Sequence, residues 1–259
     1  MSQALGCAFV AVLASARPPG YGGEIVSYVY GPPLTQDPAT AQTAADAAAH
    51  SAAFEPLYAR QGEAWVPVLA SGPPRITSTT VEIPLRTDVV RHDNIAMTPA
   101  HVVDALLRLE NIPHAAYVLS PLLRREGRPA ISVADDEPTV VFELDYPDAS
   151  FIDLLSADHA RLAWPSESGP MVGTGPFRWQ SPSELRSFLQ HRDGRPYIDN
   201  IVWRPYASRF GATALAERGE ALIFGGPKPP RVFAGSGAWL VLQIGPTIGD
   251  AALRDGLRR

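Results

Sequence analysis

The chain has 259 residues, 46% of them hydrophobic, enough to build one large core or two smaller ones. Its net charge of −5 leaves no broad basic surface for nucleic acid or an acidic membrane. With 26 prolines and 21 glycines, it must turn often, which excludes an architecture of long helices.

Ala4 to Ala14 is an apolar run followed by the small residues Ala14-Ser15-Ala16 and then Arg17-Pro18-Pro19. This is the pattern of a secretory signal, although Met1-Ser2-Gln3 lacks the usual positive charge. The run is too short to span a membrane as a helix. Cys7, the only cysteine, lies inside it, so a chain processed after residue 16 carries neither thiol nor disulfide.

Gly22-Gly23 precede a first expected strand, Glu24 to Tyr30, and Gly31-Pro32-Pro33 closes it. Asp37-Pro38 is a helix start, and the alanine-rich Ala39 to Phe54 is expected to continue as helix until Pro56. Leu57 to Arg60 and Ala64 to Leu69 should pair across Gln61-Gly62-Glu63. Thr80 to Leu85 alternates with strand period, and Pro84 within it calls for an edge or a bulge. His92-Asp93-Asn94 forms a turn, and Thr98 then caps a helix with Pro99 in its first position. Val102, Val103, Leu106, Leu107 and Leu109 give that helix an apolar stripe, Arg108 suits its negative end, and Pro113 forbids its continuation.

Tyr117 to Arg124 should be irregular helix. Ala130 to Ala134 and Thr139 to Leu144 are expected strands joined by the acidic turn Asp135-Asp136-Glu137-Pro138. Ala149 to Leu155 is a short helix and Leu162 to Trp164 a strand fragment. Gly173-Thr174-Gly175-Pro176 forms a rigid turn that launches Phe177 to Gln180. Leu185 to Gln190, Ile198 to Tyr206, Leu222 to Phe224 and Trp239 to Ile244 are further strands, with helices at Ser208 to Glu217 and Asp250 to Arg258. Strands outnumber helices without regular alternation, so the fold class is α+β (mixed α/β) with mixed sheets.

No catalytic set stands out. His101 and Asp104 share a helix face, but a metal site needs more ligands at a recognisable spacing. His92-Asp93 reads as turn chemistry rather than a general base. Ser236 in Gly235-Ser236-Gly237 misses the nucleophile-elbow pattern, and Gly173-Thr174-Gly175 is no dinucleotide fingerprint. The five tryptophans are expected mostly in the core or on sheet surfaces. No cofactor is implied.

The order of motifs is more informative. Ile83-Pro84-Leu85-Arg86, Val90-Arg91-His92-Asp93 and Met97-Thr98-Pro99-Ala100-His101-Val102-Val103 follow one another as "FxLRxGVxFHDGxPLTAEDV". Thr139 to Leu144 matches "TVxFxL", Val172 to Phe177 matches "xxGTGPF", and Gly194 to Val202 matches "GxxYLDxIxF". Gly22 to Ile25, Asp37-Pro38, Phe54 to Leu57, Val66 to Ala70 and Ala214 to Glu220 add weaker matches in the same order. Together they resemble the family-5 extracytoplasmic solute-binding proteins of peptide and nickel ABC importers. One departure is His101, which replaces the acid of the family's helix-capping box, so the reciprocal bond to the cap N–H is expected to be lost.

The resemblance implies a periplasmic-binding-protein-like first lobe over 17–226, with mixed sheets and flanking helices. Residues 1–16 would be the signal segment, and 227–259 the hinge strands and the start of a truncated second lobe. It implies a monomer that binds a peptide or another small solute, presents it to an ABC permease, and does no chemistry on it. Ligand contacts are expected from Tyr30, Gly31 and Pro32 at the end of the first strand and from the loop around Asp158 and His159. The alternatives are a non-transporting interaction or sensor module derived from that lobe, and a hydrolase, for which no nucleophile–base pair is visible.

Overall fold

The structure is a computed structural model. It describes residues 21–29, 33–113, 115–116, 119, 123–135, 137–167, 169–205 and 222–224. The expected signal segment, the helices at 208–217 and 250–258, the strand at 239–244 and Ser236 lie outside the described residues.

Among the described residues, two sheets and two hairpins carry the fold. The first sheet has five strands in the order β10-β11-β12-β1-β13. Here β1 is Glu24–Val29, β10 Phe177–Ser181, β11 Glu184–Ser187, β12 Asn200–Pro205 and β13 Leu222–Phe224. β1 runs parallel to both β12 and β13, while β10, β11 and β12 are antiparallel. The second sheet is antiparallel, in the order β4-β5-β9-β8, with β4 Arg75–Thr77, β5 Thr80–Pro84, β8 Ile131–Val133 and β9 Thr139–Glu143. Hairpins β2 (Tyr58–Gln61) with β3 (Ala64–Pro67), and β6 (Arg124–Arg125) with β7 (Arg128–Pro129), complete the set. The mixed sheets and α+β class follow the expectation.

Pro84 is accommodated by register. β5 is internal, but β4 begins at Arg75, opposite Glu82, so Pro84 lies past the end of that neighbour. Its carbonyl accepts from the Ser71 N–H at 2.8 Å. The flanking bonds there use the Pro84 carbonyl and the Arg86 N–H and ask no donor of the proline.

The alanine-rich helix is divided. Asp37 caps a single 3-10 turn at Pro38–Thr40, and helix α1 starts afresh over Ala44–Ala53. The break comes from Thr43 and Asp46, which form a capping box and stop the earlier turn from propagating. Ala45, Ala49 and Ala53 recur one turn apart on α1 and are buried with Val29, Trp179, Leu185 and Trp203 of the first sheet. A larger core joins the second sheet to helix α2 (Pro99–Leu107) and helix α3 (Phe151–Leu155). In it Phe142 and Phe151 meet edge to face at 4.9 Å.

Capping of α2 differs from expectation. The Thr98 hydroxyl accepts from the His101 N–H, and the Thr98 N–H donates back to His101 Nδ1 at 3.1 Å. The capping box is therefore intact, because a neutral imidazole presents a lone pair as a carboxylate would. The expected strand Leu185 to Gln190 ends at Ser187, and the chain then turns so that buried Phe188 packs edge to face on His92.

Candidate functional site

Three parallel strands, β12, β1 and β13, end on one side of the first sheet. In open sheets of this kind the loops outside the carboxyl ends of parallel strands form the ligand crevice. Tyr30, Gly31 and Pro32 directly follow β1 and lie outside the described residues. The segment after them is held with many bonds. Thr35 donates from both its N–H (2.8 Å) and its hydroxyl (3.2 Å) to Asp46 Oδ1. The Thr35 carbonyl accepts from His50 Nε2 at 2.7 Å. Asp46 Oδ2 accepts from the Gln42 and Thr43 N–H groups and from the Thr43 hydroxyl.

These bonds set the charges. Burial alone would raise the Asp46 carboxyl, but the Thr35, Thr43 and Gln42 donors outweigh it and lower its pKa. Burial pushes His50 down despite its Thr35 partner, so the ring is neutral at pH 7. One turn further on, Asp37 takes a two-pronged bond from Arg108 at 2.6 and 3.1 Å, tying the loop to the end of α2. Arg108, expected only to suit the helix dipole, thus also positions this loop.

Asp158 and His159 sit in a 3-10 turn, Asp158–Ala160, that packs against the Pro38–Thr40 turn. The structure thus places the second expected contact loop beside the segment that leaves β1. The Asp158 carboxylate is exposed and already engaged by Arg161 at 2.9 and 3.2 Å. Arg161 also donates to the Phe54 carbonyl at 3.1 Å, which fixes the turn to the end of α1. His159 is half-buried.

A joint lies beneath this face. The Gly173-Thr174-Gly175 segment packs on the end of α1. A Cβ on Gly173 would lie 2.1 Å from the Ala53 carbonyl oxygen, and one on Gly175 2.5 Å from that of Ala52. Neither glycine has a positive φ, so close approach, not turn geometry, is what requires them. His92 clasps the segment. Its N–H donates to the Gly173 carbonyl (2.9 Å), its Nδ1 accepts from the Gly173 N–H (3.2 Å) and its Nε2 donates to the Gly175 carbonyl (2.9 Å). Burial drives the His92 pKa down to about 4, so the ring is neutral and both nitrogens are committed.

Glu55 is the residue that sequence reasoning missed. It receives two 2.7 Å bonds from Arg192, 137 residues away, and both side chains are almost wholly buried. Burial would raise the Glu55 carboxyl, but the nearby His191 ring at 3.6 Å and the hydrogen bonds and charge of Arg192 hold it at about 2. No sequence signal pairs residues so far apart.

Among the described residues no group of three or more His, Cys, Asp or Glu is placed to hold a metal. His101 is occupied in its capping box and His92 in its clasp. Among the same residues no helix is long and apolar enough to cross a membrane.

Comparison with known proteins settles the family. Residues 64–237 match the model of the bacterial extracellular solute-binding proteins, family 5, middle region. The chain belongs to this family. A "putative ABC transporter peptide-binding protein" of Brucella ovis is 32% identical over 103 residues, 33% of this chain and 20% of the relative. An ABC transporter-associated periplasmic binding protein, DppA from Helicobacter pylori, solved with the peptide STSA, superposes with a TM-score of 0.64 at 19% identity. That match covers 80% of this chain and 47% of the other. A nickel ABC transporter protein from Bacillus halodurans gives 0.63 at 20% identity, covering 79% and 43%. The family-5 chain therefore shares the fold of these proteins and spans under half the length of the solved ones and a fifth of the curated relative.

Proposed function

We propose that this chain is a first lobe of the substrate-binding component of an ABC importer for peptides or another small solute. It works outside the cytoplasm as a monomer, delivers its ligand to a membrane permease, and performs no chemistry on it. The observation that carries this reading is the crevice face. There the segment leaving β1 is pinned by Asp46, His50 and Arg108, and the Asp158–Ala160 turn packs beside it. Such fixed loops outside parallel strand ends suit ligand contact. Family membership and the peptide seen with DppA of Helicobacter pylori support the same reading.

Tyr30, Gly31 and Pro32, which follow β1 in sequence, would contact ligand together with Asp158 and His159. A ligand ammonium would compete with Arg161 for the Asp158 carboxylate. One face supplies only part of a two-sided grip, so this chain alone should bind short peptides weakly, at about 1 mM, or roughly −4 kcal/mol. Amide chemical-shift mapping during titration with mixed tri- and tetrapeptides tests this. Perturbations should gather at residues 33–40 and 158–161. Shifts confined to another face would overturn the site, no shifts would overturn peptide binding, and micromolar affinity would overturn the one-sided grip.

A further inference from the structure

A groove of about 590 Å³ opens at the opposite end of the first sheet. Asn200 lies in it and starts β12, opposite Glu24 at the start of β1. The carboxyl ends of these strands are five residues further on, roughly 16 Å away. The groove is therefore separate from the crevice face.

Its lining is unusual in charge. Arg178 on β10 and Arg186 on β11 are directly opposed across the antiparallel pair. Trp179 and Leu185, the next pair along, are buried against α1, so the two arginines share the sheet's other face. Like charges directly opposite one another are unfavourable. Among the described residues neither guanidinium has a hydrogen bond or an ion pair to an acid. Asp199 also lines the groove, but Arg195 engages its carboxylate. Glu184, two residues from Arg186 on the same face, makes no ion pair. Glu24 stands two strands away from Arg186 in the same cross-strand row, roughly 10 Å off.

A polar group beside the pair also lacks a partner. Asn200 lies beside Arg186 in that row, and one atom of its amide is buried without a hydrogen bond. Turning the amide over puts an N–H donor at the same place. Asn94 and Gln190 add side-chain amides at the rim. Two planar forks with uncommitted donors and nearby neutral donors match the oxygens of a compact dianion.

We propose that the Arg178–Arg186 groove binds a small dianionic oxyanion, a phosphate or a dicarboxylate, at a site distinct from the solute crevice. The bound anion removes the repulsion between the two guanidinium groups and accepts from the Asn200 amide.

The test uses the 259-residue chain with inorganic phosphate and, separately, succinate, at constant ionic strength against sodium chloride. Thermal melts and calorimetry should show saturable binding by one of them at about 1 mM or tighter. The arm that saturates names the anion class. Arg178→Gln and Arg186→Gln should each weaken it by about tenfold or more, as loss of a charge-assisted fork does. Neither variant should melt below the parent without anion, because the repulsion is gone. Phenylglyoxal labelling read by peptide mass mapping needs no variant: the anion should shield Arg178 and Arg186 but not Arg75. Stabilisation equal to that by chloride in both arms, unchanged affinity in the double variant, or equal labelling with and without anion would each overturn the proposal.

Discussion

His92 shows how much one side chain can decide. Its imidazole sits 7% exposed between Gly173 and Gly175 and gives one nitrogen to each. Protonation would convert Nδ1 from acceptor to donor and set it against the Gly173 N–H. The folded pKa of about 4 lies below the ordinary 6.5, so the unfolded chain takes up the proton first as pH falls. Stability from this group is complete above pH 6.5 and is lost progressively down to about pH 4, by about 3 kcal/mol. His50, whose pKa is also lowered by burial, adds to the loss in the same direction. Urea midpoints between pH 7.5 and 4 should therefore fall, and His92→Gln should flatten the slope. A parent curve level from pH 6.5 to 4.5 would refute the neutral clasp. The glycines beside it are tested separately. A methyl on Gly173 would meet backbone, which cannot swing aside, so Gly173→Ala should destabilise by about 2–3 kcal/mol. A loss under about 1 kcal/mol would mean that the α1 end yields. The motif was visible in the sequence as a glycine turn. Its physical reason was not, because close approach to Ala52 and Ala53 is a tertiary fact.

At the scale of elements, patterns confined to a few neighbours were readable. Thr98-Pro99 located the start of α2, Gln61-Gly62 the turn between β2 and β3, and the alternation of Val81 and Ile83 gave β5 its buried face. What failed was competition between local signals. Asp37-Pro38 and Thr43-Asp46 are both helix starts, and propensity alone gave no reason to prefer the second. Asp46 wins because it gathers donors from Thr35, Gln42 and Thr43 at once. The α2 box differs from expectation for another reason: replacing the acid with His101 was expected to lose the reciprocal bond, whereas Nδ1 accepts from the Thr98 N–H. Its replacement gives a clean prediction. His101→Glu should keep the box and leave the melting temperature near the parent's, while His101→Ala leaves the Thr98 N–H without its acceptor. The alanine variant should lose about 0.5–1 kcal/mol, or about 1–4 °C for a domain of this size. Equal melting of His101→Ala and the parent would show that the reciprocal bond contributes nothing.

Across the whole molecule, a buried charged contact sits where the chain passes from the smaller hydrophobic core to the larger. Glu55 follows the end of α1, in the smaller core, and leads into β2, where Leu57 and Tyr58 enter the larger one. Arg192 reaches it from the loop between β11 and β12. The candidate crevice was legible only as two short segments, because nothing local records that residues 38–40 and 158–160 touch. The arginine groove was not legible, since opposing Arg178 and Arg186 requires the hairpin register and its bulge. The Glu55–Arg192 pair belongs to the same class of long-range fact, and it makes the last prediction. A buried pair differs from a surface one because removing one partner strands the other charge away from water. Glu55→Gln should therefore cost about 3–5 kcal/mol, against under 1 kcal/mol for an exposed pair such as Arg60–Asp153. The parent's Glu55 contribution is present above its ordinary pKa of 4.5 and fades as pH falls towards about 2. Glu55→Gln should thus lose its disadvantage at low pH. Replacing both partners, as Glu55→Leu with Arg192→Met, removes the stranded charge and should recover most of the loss. A double-mutant cycle by urea unfolding reads all three. If Glu55→Gln costs under about 1 kcal/mol, or the double replacement is worse than the single, the pair does not behave as a buried one.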